Sequence, residues 1–114
     1  MSTSIVIADD HLLIAKAISG IIEQFRHFTV LYEVENGLAL QEKFKNPKNI
    51  PDILLLDISM PLMDGFETAR WISQEYPHVQ VMALTMQNED EALIKMIKSG
   101  AKGFLHKNIH PTEL

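Results

Sequence analysis

The sequence predicts an α/β fold, one parallel sheet of five strands with helices packed on both of its faces. Three observations predict it. Short β-branched or apolar runs alternate with amphipathic stretches in the order βαβαβαβαβ. All five prolines and four of the five glycines fall between those elements, where turns need them. Ile53 to Leu56 is an unbroken apolar run shortly after Pro51, the pattern of a strand buried on both faces of a parallel sheet.

Composition narrows the class further. The 114 residues make one domain, 1–114, large enough for a core and too small for two. With 46% apolar residues the chain is expected to fold and stay soluble. No apolar run approaches the ~20 residues of a membrane span, and the amino terminus lacks the basic and apolar regions of a signal peptide. A cytoplasmic location without a membrane partner is expected. Cysteine is absent, which removes disulfides, thiolate chemistry and zinc sites built on sulfur. Fifteen acidic against ten basic residues give a net charge of −5, which argues against direct nucleic-acid binding by this domain.

Along the chain, Ser4 to Ala8 reads as the first strand and runs straight into Asp9 and Asp10. A helix follows over Leu12 to Phe25, with Leu13, Ala17, Ile21 and Phe25 in one stripe and Ile14, Ile18 and Ile22 widening it. Gly20 inside that helix costs about 1 kcal/mol relative to Ala, so close packing against a neighbour is expected there. Phe28 to Val34 is the second strand, ended by the turn at Glu35, Asn36 and Gly37, and Leu38 to Phe44 is a short amphipathic helix. Asn46 to Asn49, with Pro47 inside, breaks that helix ahead of the central strand. The central strand delivers Asp57, Met60 and Pro61 stop it, and Asp64 and Gly65 turn the chain. Phe66 to Tyr76 is helical, with Phe66, Ala69 and Ile72 apolar and Trp71 beside them, and Pro77 closes it. Val79 to Leu84 is the fourth strand and delivers Thr85. Glu89, Asp90 and Glu91 open a helix with acid in its first turn, Lys95 and Lys98 lie further along, and Ser99 and Gly100 end it. Gly103 to His106 is a brief fifth strand that delivers Lys107, and residues 110–114 open a fifth helix that is largely missing.

Four of these strands end in residues with chemistry: Asp9 and Asp10, Asp57, Thr85 and Lys107. In open α/β sheets the carboxyl ends of neighbouring strands converge on one crevice. Each residue also has a plainer reading. Asp9 or Asp10 serves as a helix cap, Asp57 ends a strand, and His11 lies on the surface of the first helical turn. A cap needs one carboxylate, however, and two adjacent ones are costly unless a cation shares the site. Asp9, Asp10 and Asp57 offer hard oxygen ligands suited to Mg²⁺. Asp57 is then a nucleophile toward a phosphoryl group, with Lys107 pairing to one phosphoryl oxygen and the Thr85 hydroxyl bonding another.

On these residues the chain resembles a bacterial response-regulator receiver domain, a flavodoxin-like doubly wound fold. The resemblance rests on Asp9 and Asp10, Asp57 followed by Met60, Pro61, Asp64 and Gly65, then Thr85, then Gly100 to Phe104 ahead of Lys107. It implies strand order 2-1-3-4-5 and a phosphoacceptor of a two-component system that is not a turnover enzyme and loses its phosphate slowly. Asp57 would take the phosphoryl group from a sensor histidine kinase. Asp10, Asp57 and the Ser59 backbone carbonyl would hold Mg²⁺, with Asp9 acting through water. Thr85 and Phe104 would form the switch pair, and Ser59 and Gln87 would border the path of the hydrolytic water and tune dephosphorylation.

The first-turn Asp9, Asp10 and His11, the Thr85 and Met86 pair, and the closing Pro111 to Leu114 resemble the branch whose receivers precede a helix-turn-helix DNA-binding output domain. Asn108 rather than proline follows Lys107, so the cis peptide common in other branches is not expected. The short fifth helix suggests a shortened piece of a longer regulator, whose uncovered face would be shielded by homodimer formation.

Three rival readings compete. A flavodoxin-like cofactor binder needs free amides in its first loop, where Asp9 and Asp10 would repel a nucleotide phosphate. An aspartyl phosphatase would carry a second Asp two residues after its nucleophile, where Ser59 stands. A receiver-like interaction module that signals without phosphate remains, and Phe104 is then an ordinary core residue.

Overall fold

The computed structural model describes residues 2–86 and 90–107. The expectations placed on Gln87, Glu89, Asn108 and the helix opening at 110–114 lie outside the described residues. Strands β1 (Thr3–Ala8), β2 (Phe28–Val34), β3 (Ile53–Asp57), β4 (Gln80–Thr85) and β5 (Gly103–His106) alternate with helices α1 (Leu12–Ile22), α2 (Gly37–Phe44), α3 (Gly65–Glu75) and α4 (Asp90–Lys98). All four pairings are parallel and the strand order is β2-β1-β3-β4-β5. This is the five-stranded flavodoxin-like sheet that the sequence leads one to expect.

The pleat sorts the strand residues into two cores. Val6, Ala8, Leu54, Leu56, Val81 and Ala83 face α2, α3 and α4, where Leu40, Phe44, Ala69, Ile72 and Met96 meet them. Ile5, Ile7, Leu55 and Leu84 face α1, where Ala15, Ile18 and Ile22 meet them. Burying a side chain such as Leu54 or Ile72 contributes about 1.5–3 kcal/mol. On the first face Phe44, Trp71 and Tyr76 pack as a trio with ring centroids 5.0–5.5 Å apart.

Three expectations about α1 are corrected. The helix ends at Ile22, and Gln24 and Phe25 donate to the carbonyls of Ile21 and Ile22 three residues back, so the chain tightens and turns into β2. The buried stripe is Ala15, Ile18 and Ile22, whereas Leu13 is 85% exposed and Ala17 faces water. Apolar residues surround nearly the whole of this helix, so periodicity alone does not choose the face that meets the sheet. Gly20 has nothing within 4 Å of where a Cβ would stand, so no close packing explains it.

The elements that approach the crevice are fixed by local chemistry. Asn36 caps α2 by accepting from the Ala39 amide at 2.8 Å, and Asp64 caps α3 by accepting from the Glu67 amide at 3.0 Å. Gly65 lies so close to the Asp57 carbonyl and the Ile58 backbone that any Cβ there would collide with them. Its amide donates to the Ile58 carbonyl at 2.9 Å, which ties the start of α3 to the end of β3. Gly100, at φ 123°, ends α4 in a conformation open chiefly to glycine.

Candidate functional site

The chain leaves β1 toward β2 on one side and returns to β3 on the other, so the sheet reverses its order between β1 and β3. That reversal opens a crevice at the carboxyl ends of the two strands. Ala8 is in register with Leu56, which sets Asp9 level with Asp57 across the opening. Asp57 in turn is in register with Leu84, just short of Thr85, and Thr85 is in register with His106, just short of Lys107. Strand register therefore brings together the residues that the sequence places at four separate strand ends.

The side chains of Asp9, Asp57 and Lys107 are 0%, 5% and 3% exposed, so three charged groups share a site almost without water. Lys107 Nζ lies 2.9 Å from Asp57 Oδ1 and 3.2 Å from Asp9 Oδ2. One ammonium thus serves two buried carboxylates. Burial lifts the Asp57 carboxyl from 3.8 to about 7 against the pull of Lys107, and the neighbouring Asp9 charge adds to the rise. Burial opposes the Lys107 charge, but its hydrogen bond to Asp57 and the charges of Asp57 and Asp9 outweigh that and raise its pKa. Oδ2 of Asp57 has no hydrogen-bond partner among the described residues, and Oδ2 of Asp9 has the ion pair to Lys107 without a well-formed hydrogen bond.

The cap reading of the acidic pair does not hold. The N-cap position of α1 is His11, whose side chain makes no capping bond, and the first turn of α1 carries no acid. Asp9 Oδ1 instead accepts from the His11 amide at 2.8 Å, folding the turn so that both carboxylates stay at the crevice. Asp10 stands at its mouth with a side chain 35% exposed.

Ligand atoms from Asp9, Asp10, His11 and Asp57 all lie within 4.8 Å of one another. The carboxylates are hard oxygen donors, and two of their oxygens are buried without a hydrogen bond, so the cluster fits the Mg²⁺ site that the sequence leads one to expect. Ser59, two residues past Asp57, is exposed in the loop that leads to α3. In that loop Leu62 takes φ 67° while the Met63 amide donates to the Pro61 carbonyl at 2.7 Å, a strained turn costing about 1–3 kcal/mol.

One histidine, His106, escapes the sequence reading, which takes His11 as first-turn helix surface rather than as a metal ligand. His11 does sit on the first-turn surface with its side chain 56% exposed, yet its Nδ1 lies 3.0 Å from Asp9, 3.3 Å from Asp10 and 3.8 Å from Asp57. His106 joins the expected switch pair: its Nδ1 is 3.3 Å from the Thr85 hydroxyl and its ring meets the Phe104 ring edge-on at 5.5 Å. Phe104 itself is 44% exposed, so the core reading of that residue is overturned. Alternation along β5 was the available signal for His106, because it puts Phe104 and His106 on one face.

Comparison with known proteins agrees with this geometry. Residues 5–114 match the family model described as response regulator receiver domain. The chain is 34% identical over 108 residues to the transcriptional regulatory protein DegU of Brevibacillus brevis, covering 92% of this chain and 44% of that protein. It is 36% identical over 105 residues to the oxygen regulatory protein NreC of Staphylococcus epidermidis, covering 91% of this chain and 47% of that protein. The chain therefore spans about half the length of the curated relatives it matches. The non-phosphorylated receiver domain of the stress response regulator RcsB from Escherichia coli superposes with a TM-score of 0.86 at 28% identity, covering 99% of this chain and 87% of that one. No helix among the described residues is long and apolar enough to cross a membrane. Sheet order, acidic crevice and matched length lead to one assignment: the chain belongs to the response-regulator receiver domain family, phosphoacceptors rather than turnover enzymes, and its acidic cluster matches their Mg²⁺ site.

Proposed function

We propose that Asp57 is the residue that takes the phosphoryl group, from a phosphohistidine of a sensor histidine kinase. One observation carries this reading. Asp57 is buried with Oδ1 held by Lys107 while Oδ2 has no hydrogen-bond partner, so one oxygen is fixed and the other keeps its lone pairs. An Asp57 carboxylate oxygen attacks phosphorus, the P–N bond breaks, the imidazole leaves with its electron pair and takes a proton from water, and Asp57 becomes an acyl phosphate. Asp10, Asp57 and the Ser59 carbonyl would hold Mg²⁺, with Asp9 helping through water, and the metal would neutralise charge that gathers on the phosphoryl oxygens. Lys107 moves from the Asp57 carboxylate to a phosphoryl oxygen and retains a charge-assisted bond. Thr85 exchanges its contact with His106 for a phosphoryl oxygen, and Phe104, edge-on to His106, shifts with it. Ser59 and Gln87 tune the loss of phosphate, since both hydrogen-bond and neither is a strong base.

The output follows from the same pair. A shift at Thr85 and Phe104 biases a two-state surface made by α4 and β5. Ile94 and Ile97 stand exposed on α4, 56% and 48%, where a partner would cover them. In the full-length protein that partner is a helix-turn-helix DNA-binding output domain or a second receiver, so that phosphorylation controls transcription in the cytoplasm. The similar proteins DegU, a transcriptional regulatory protein, and NreC, an oxygen regulatory protein, support this output. The receiver itself, at a net charge of −5, leaves DNA contact to the output domain.

Incubation with acetyl phosphate and Mg²⁺, read by intact mass, tests the assignment. Wild type should gain one phosphoryl group, stable in acid and lost in base, and Asp57→Asn should gain none. An equal gain in the variant would make another residue the nucleophile. No gain in wild type would leave the phosphate-independent interaction module as the better reading.

A further inference from the structure

The three aspartates and the Ser59 carbonyl form an all-oxygen ligand set, and the His11 imidazole is left over. We propose that His11 Nδ1 is a further ligand of the metal site, making it a mixed nitrogen and oxygen site that prefers divalent transition metals, Ni²⁺ and Zn²⁺ among them, to Mg²⁺. This rests on the reading of Asp9, Asp10 and Asp57 as metal ligands.

The first ground is a mismatch among the contacts of Nδ1. It lies 3.0 Å from Asp9 Oδ1 and 3.3 Å from Asp10 Oδ1, both acceptors, and 3.1 Å from Lys107 Nζ, a donor. With a proton on Nδ1 the contact to Lys107 sets donor against donor. Without one, the contacts to both carboxylates set acceptor against acceptor. A cation among these atoms satisfies every lone pair at once, with Lys107 released to the anion that arrives.

The second ground is a buried oxygen that lacks a hydrogen bond. Asp57, with a side chain 5% exposed, directs an oxygen without a hydrogen-bond partner to within 3.8 Å of the same Nδ1. Metal bonds of about 2.1 Å set two ligand atoms at most about 4.2 Å apart. The four candidate atoms lie within 4.8 Å of one another, so closure takes only small side-chain rotations. The ring is half in water, and the backbone at His11 is already held by Asp9, which leaves the imidazole free to turn.

The preference follows from the donor. Imidazole binds Ni²⁺ and Zn²⁺ well, whereas Mg²⁺ takes oxygen ligands and keeps several waters. Removal of the ring therefore acts on one class of metal and spares the other.

The test is calorimetric titration of tag-free protein with Ni²⁺ alone and with Mg²⁺ alone, for wild type and His11→Ala. Urea midpoints of the two proteins check that the exposed substitution leaves the fold intact. Wild type should bind Ni²⁺ at least tenfold more tightly than Mg²⁺, with Mg²⁺ competing for the same site. His11→Ala should lose about 10–100-fold in Ni²⁺ affinity and stay within about twofold for Mg²⁺. Equal Ni²⁺ affinity in both proteins would overturn the proposal, as would Ni²⁺ that Mg²⁺ does not displace. Equal losses for the two metals would also overturn it, because His11 would then only position the carboxylates. Failure of wild type to bind Mg²⁺ is a separate result, which strikes the aspartate reading itself.

Discussion

Leu54 and Asp57 lie on the same strand and are nearly equally removed from water, at 0% and 4% exposed. Their situations differ in every other respect. Leu54 is enclosed by Val6, Ile72, Val81 and the rest of the larger core, so its burial is repaid by packing. Asp57 shares one ammonium with Asp9, has an oxygen without a hydrogen-bond partner and holds its proton up to about pH 7. The middle of β3 stabilises the fold, and its carboxyl end draws on that stability to keep a charged, under-satisfied group out of water. Such a group is costly alone and useful once a cation and a phosphoryl group arrive.

The largest effect expected from this contrast is in the middle of the strand. Leu54→Ala should cost about 2–5 kcal/mol in a urea melt, with Mg²⁺ affinity of the remaining folded protein changed less than about twofold. A strong loss of Mg²⁺ affinity in that variant would show that core and crevice are not separable.

Next in size is the dependence on pH without metal. The folded Asp57 pKa of about 7 stands above its ordinary value of 3.8. Its favourable contribution is therefore complete below about pH 4, is lost as pH rises toward 7, and is absent above. From pH 5 to pH 8 wild type should lose on the order of 1–3 kcal/mol, while Asp57→Asn, which has nothing to ionise, should be flatter and more stable at pH 8. A wild type that gains stability over this range relative to the variant would reverse the sign assigned to Asp57.

The smallest effect concerns a polar group whose partner is present. The Tyr32 hydroxyl donates to the Asn49 carbonyl at 2.6 Å, and burial pushes it up to about 12. Tyr32→Phe should cost about 0.5–1.5 kcal/mol in the same urea assay, opposite in sign to Asp57→Asn at pH 8. Two losses, or two gains, would erase the distinction between a satisfied and an unsatisfied buried group.

Much of this contrast was legible in the sequence. Ile53 to Leu56 announce a doubly buried strand, and the βα alternation with right-handed crossovers leaves few ways to arrange five strands, so sequence order alone gathers Asp9, Asp57, Thr85 and Lys107 at one end. What stayed hidden depends on rotation and side-chain direction. Leu13 and Ile18 are equally apolar, and only the seat of α1 on Ile5, Ile7 and Leu55 shows which of them is buried. His11 is a surface residue by position and a crevice residue by one ring nitrogen, a distinction set by χ angles that no spacing encodes. The link through His106 required the pairing of β4 with β5, since Thr85 and His106 are 21 residues apart.

The most direct measurement of the central claim is a set of urea melts at pH 8 on wild type and Asp57→Asn, each with and without Mg²⁺. If the buried carboxylates are held for a cation, Mg²⁺ at ten times its Kd should stabilise wild type by about 1.4 kcal/mol. The same Mg²⁺ concentration should stabilise Asp57→Asn clearly less, because the variant lacks the charge that draws the metal in. Equal stabilisation of the two proteins, or none of wild type, would contradict the claim.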